Sequence, residues 1–87
     1  MIEVEFRRPG ERGQYVVAAT LRVDDAGTAT WEGDASSIDV DAPIRDRSRP
    51  SGQLTFREDP EQWARNARKA FRTPYLVPVV IKDTGAS

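Results

Sequence analysis

Apolar and polar residues alternate from the first positions of the chain. Ile2, Val4 and Phe6 are interleaved with Glu3, Glu5 and Arg7, the period-two pattern of a strand with one face in a core. Pro9-Gly10-Glu11-Arg12-Gly13 then supplies a fixed dihedral and two permissive ones, which predicts a turn. Alternation resumes over Gln14–Asp24, with Tyr15, Val17, Ala19, Leu21 and Val23 on one face and Val16, Ala18, Thr20 and Arg22 on the other. A second turn at Asp24–Gly27 leads to a shorter strand, Thr28–Glu32, that delivers Trp31. Three strands joined by short turns predict an antiparallel meander.

Periodicity fades between Gly33 and Gly52. Ile38 and Val40 could form a brief strand, and residues 42–52, with two prolines and two serines, read as a flexible loop. Alternation returns at Gln53–Arg57, where Leu54 and Phe56 share a face. Tyr75–Lys82 is apolar at nearly every position, as in a strand buried on both faces or in an interface. Pro78 has no N–H to give a ladder, which places that strand at an edge or pairs it where no donor is needed. Residues 83–87 read as a frayed tail.

The period changes to that of a helix over Asp59–Arg72. Asp59 suits the N-cap and Pro60 the first helical position, and Gln62 completes a capping-box pattern. Pro74 stops the helix and extends Thr73. Trp63, Ala64, Ala67, Ala70 and Phe71 form the apolar side. Arg65, Arg68, Lys69 and Arg72 form a basic stripe on the other, with Glu61 placed to pair with Arg65 one turn on. The predicted architecture is therefore α+β: an antiparallel β-sheet of four to five strands packed against one amphipathic helix, in the order β-β-β-(β)-β-α-β. Residues 1–87 form a single domain without internal repeats.

Charge adds an asymmetry. Residues 1–43 hold four Arg against nine acids, a balance of −5, whereas residues 44–72 hold eight cations against four acids, a balance of +4. Eleven of the thirteen cations are Arg. A GC-rich genome explains that preference; a surface for anionic groups, which the Arg fork grips better than Lys, explains it too. Arg65, Arg68, Lys69 and Arg72, with Arg45, Arg47 and Arg49 as a loop arm, are the candidates for such a surface. A solvated helix face is the alternative.

The chain lacks histidine and cysteine. That removes the commonest general base, the Ser-His and Cys-His nucleophile pairs, disulfides, and His- or Cys-ligated metal sites. No phosphate loop, dinucleotide fingerprint or nucleophile elbow is present. Gly10–Gly13 matches the G-x-x-G of KH nucleic-acid loops, but that loop joins helices and here both flanks read as strands. Asp34, Asp39 and Asp41 do not follow a calcium-loop spacing. Neither a catalytic residue, nor a cofactor, nor a metal site is expected. No apolar run has transmembrane length, and the first residues do not form a signal peptide, so a cytoplasmic protein without membrane partners is expected.

Asp24–Gly27 followed by Trp31-Glu32-Gly33-Asp34, and Asp59-Pro60 followed by Trp63, Asn66, Ala70-Phe71-Arg72 and Tyr75-Leu76, resemble short uncharacterised bacterial proteins from GC-rich genomes. The resemblance covers about half of the chain, implies the strand–helix–strand order, and implies no activity. The function expected is a small non-enzymatic protein-interaction module that binds a protein partner or itself, as a homodimer. Tyr75, Val77, Val79 and Ile81 are its interface candidates. A nucleic-acid-binding accessory protein that uses the basic helix face is the alternative.

Overall fold

A computed structural model describes residues 1–36, 38–70 and 76–84, with the backbone alone at 69 and 70. Strand β1 (Ile2–Pro9) follows the predicted alternation: Ile2, Val4 and Phe6 are fully buried. It lies at the centre of a four-stranded antiparallel sheet, between β2 (Tyr15–Val23) and β6 (Val77–Asp83), with β3 (Ala29–Gly33) outside β2. A single 3-10 turn, Glu11–Gly13, joins β1 to β2. The sheet order is β3-β2-β1-β6.

Strand β2 departs from the predicted pattern in a way that matters for the surface. Phe6 pairs with Ala19 but Arg7 pairs with Val17, so Ala18 is an extra residue, a β-bulge. One inserted residue reverses the phase of the alternation. Ala19, Leu21 and Val23 therefore enter the core, while Tyr15 and Val17, expected beside them, turn to the opposite face and are exposed. Gly33 makes room for the bulge: a Cβ there would stand 2.6 Å from the Ala18 carbonyl oxygen.

Helix α1 (Pro60–Ala70) crosses the buried face of the sheet. Asp59 Oδ1 accepts the Gln62 N–H at 3.1 Å, as the cap requires. The Gln62 side chain does not complete the box; its amide donates to Asn66 Oδ1 at 3.0 Å. Trp63, Ala64 and Ala67 are fully buried. Phe71 lies outside the described residues. Phe6, Trp31, Phe56 and Trp63 form a closed circuit of rings, with centroids 5.3–6.1 Å apart.

No strand forms at Ile38 and Val40, although Ile38 is buried. Instead β4 (Ile44–Arg45) and β5 (Gln53–Leu54) make a two-residue hairpin against the helix, inside and just after the segment read as a loop. Phe56 falls beyond β5, in a turn, and still packs on the core. Asp83, read as tail, is the last residue of β6 and pairs with Ile2. No helix of the described residues is long and apolar enough to cross a membrane.

Candidate interaction surface

The basic candidates do not form one stripe of free cations. Arg65 Nη2 stands 2.8 Å from Glu61 Oε1, and its Nε lies 3.3 Å from the Asp83 carboxylate on β6. The pairing with Glu61 is the one expected from spacing; the pairing with Asp83 needed the tertiary fold. Arg68 is exposed and has no carboxylate within ion-pair distance among the described residues. The Lys69 side chain and Arg72 lie outside the described residues.

In the loop arm, Arg49 is not a free arm residue. Its guanidinium faces Asp46 at 3.5 Å, Glu58 at 3.6 Å and Asp59 at 3.4 Å. It therefore ties the β4–β5 turn to the start of α1. Asp46 is almost wholly buried. Its Oδ1 accepts the Ser48 hydroxyl at 2.6 Å and the Ser48 N–H at 3.0 Å. These two bonds, with the Arg49 charge behind them, hold the Asp46 carboxyl below its ordinary range. Arg45 and Arg47 are exposed, and no described carboxylate pairs with them. Arg57, not among the candidates, pairs with Asp41 at 2.8 Å.

Two of the four interface candidates, Val77 and Val79, share one face of the sheet. In register with Glu5 and Arg7 of β1, Val79 and Val77 project from the sheet face opposite the helix. Val17 joins them through its pairing with Arg7, so Val17, Arg7 and Val77 form one row across three strands. Tyr15, opposite Pro9, lies one row further. Tyr15 is 61% exposed, Val17 46% and Val77 45%. Ile81 is the extra residue of a second bulge, between Val80 and Lys82, and is exposed at the sheet edge. Tyr75 lies outside the described residues.

Most of the remaining charges of this open face are paired, with Lys82, in register with Glu3, outside any ion pair among the described residues. Arg7 Nη2 reaches Glu5 Oε1 at 2.8 Å. Arg22 reaches Glu3 at 2.9 Å and also pairs with Glu32. Simple alternation places Val17 and Tyr15 inside, so nothing in the sequence marks them as surface residues. Glu5 and Arg7 were legible as outward-facing residues, but nothing in one strand shows which neighbours meet them.

Asp34 and Asp39 serve their own turns. Asp34 Oδ1 accepts the Ser36 N–H at 3.0 Å, and Asp39 Oδ1 accepts the Asp41 N–H at 3.0 Å. Among the described residues, no group of three or more acidic side chains is arranged to hold a metal ion.

No family model, no curated protein and no solved structure matches this chain.

Proposed function

We propose that this chain is a small cytoplasmic, non-enzymatic protein-interaction module that binds through the open face of its sheet. The supporting observation is the exposed apolar residues that flank Arg7 of β1 on both sides, Tyr15 and Val17 on β2 and Val77 on β6. Exposed apolar residues gathered on one face beside paired charges are suited to protein contacts. Arg7 and Arg22 beside this patch are held by carboxylates, so they offer little to an anionic ligand. The missing His and Cys support the non-enzymatic part of the reading.

The nucleic-acid reading is weaker, because Arg49 and Arg65 are engaged by internal carboxylates. Of its seven candidates, Arg45, Arg47 and Arg68 are the described cations still free.

The test compares proteins retained by the immobilised wild-type chain and by Val77→Lys. Retention of specific proteins that is lost in the variant supports the module. An unchanged set on the variant, together with salt-sensitive retention of nucleic acid, would favour the alternative.

A further inference from the structure

The Glu5–Arg7 doublet on the open face narrows the partner. The two residues are two apart on β1, point to the same face, and are paired at 2.8 Å. A head-to-tail doublet of opposite charges is complementary to itself when a second copy runs antiparallel over it. Resting on the interaction reading above, we infer that the open face binds a second copy of this chain, sheet against sheet. The two-fold axis lies in the interface, perpendicular to β1 and level with Phe6.

Register then determines what meets what. Arg7 of each copy stands over Glu5 of the other, which closes a ring of four alternating charges. Val77 stands over Val79 of the second copy, and Val17 over Thr20. Tyr15 reaches the row of Arg22 and Glu3, where its hydroxyl meets charged groups and its ring covers apolar surface. The other two-fold, parallel to the strands, would stack Arg7 on Arg7, a like-charge contact that opposes association. The charges thus select one of the two symmetric packings, at the angle of about 30° that twisted sheets adopt.

The free edge of β6 is a poorer site for self-association. Pro78 cannot donate to an added strand, and the bulge at Ile81 distorts the edge. The open face has no such guard.

Its size sets the strength. Four strands about 4.8 Å apart and four cross-strand rows about 6.6 Å apart span roughly 500 Å². Two such faces bury roughly 1,000 Å², the low end of specific contacts, so dissociation on the order of 100 µM is expected.

Sedimentation equilibrium from about 10 µM to about 1 mM brackets that value. The wild type is expected to pass from monomer to dimer. Arg7→Glu and Glu5→Arg, each alone, place like charges over one another and should stay monomeric. Mixed one to one, these two variants present an all-acidic doublet to an all-basic one and should recover a dimer. Repair of a contact within one chain cannot produce that rescue. If either variant fails to fold by circular dichroism, Val77→Lys is the substitute, expected to be folded and monomeric. A wild type that stays monomeric throughout, a mixture no more dimeric than its components, or a dimer unaffected by Val77→Lys overturns the inference. The broader reading then stands or falls separately, on whether other proteins are retained by the wild type and lost on Val77→Lys.

Discussion

Phe56 meets Trp63 edge-on, with ring centroids 5.3 Å apart and planes at 88°. One ring comes from the turn after β5 and the other from α1, so this contact joins the small hairpin region to the main core. Trp63→Ala should cost about 3–5 kcal/mol in urea unfolding, a large share of the stability of so small a domain. A double-mutant cycle with Phe56→Leu and Trp63→Leu should return a coupling of about 0.5–1.5 kcal/mol. Strict additivity would mean that the two rings contribute independently.

Ala64 and Ala67 are fully buried where α1 crosses the sheet. Their small side chains set the distance between helix and strands. Ala67→Leu should destabilise by about 1–3 kcal/mol, because added methylenes force the helix outward. A thermal melt that shows no loss would mean the helix has room to move.

Gly33→Ala should be more damaging than Gly13→Ala, although both residues have positive φ, 85° and 76°. At Gly13 a Cβ meets nothing within 4 Å, so the cost is dihedral strain of about 1 kcal/mol. At Gly33 it would also strike the Ala18 carbonyl oxygen, which accepts the Asp34 N–H at 2.8 Å. Comparable melting of the two variants would contradict the close packing of β3 on the bulge.

Acid should weaken the fold through Asp46. Its carboxyl is held below the ordinary value of 3.8, so the stability it contributes is present above that value and is lost as pH falls through the folded-state value. Asp34, lowered by its bonds from Ser36, and Asp25, lowered by the Met1 amino group, titrate in the same direction. Asp46→Asn keeps an acceptor for Ser48 but removes the charge beside Arg49. It should lower stability at neutral pH and flatten the loss below pH 4, measured by urea midpoints across that range. A variant with an unchanged acid limb would remove Asp46 from the account.

Much of the fold is legible in short-range signals. Asp59, Pro60 and the spacing of Trp63, Ala64 and Ala67 define the helix, and Ile2, Val4 and Phe6 define β1. What is not legible depends on single residues or distant partners. Strand β2 has apolar residues on both faces near its start, so Val16 and Val17 do not reveal which faces inward, and nothing local marks Ala18 as the extra residue. Strands β4 and β5 are two residues each, too short for any period. Arg49 looks like part of a solvated arm because the acids that hold it from outside the turn, Glu58 and Asp59, come nine and ten residues later. Of the proposed surface, Val77 and Val79 were readable from an over-apolar strand, whereas Val17 and Tyr15 depend on the bulge.

Ala18 divides β2 into two stretches with different surroundings. Beyond it, Ala19, Leu21 and Val23 are constrained by the interior, and substitutions there are judged by folding. Before it, Tyr15 and Val17 are exposed and free of that constraint. Deleting this one residue would leave Val17 next to Ala19, still opposite Arg7 and still outside, and would straighten the strand without exchanging its faces. What would be lost is the Ala18 carbonyl that accepts the Asp34 N–H and lies against Gly33, the contact that seats the end of β3.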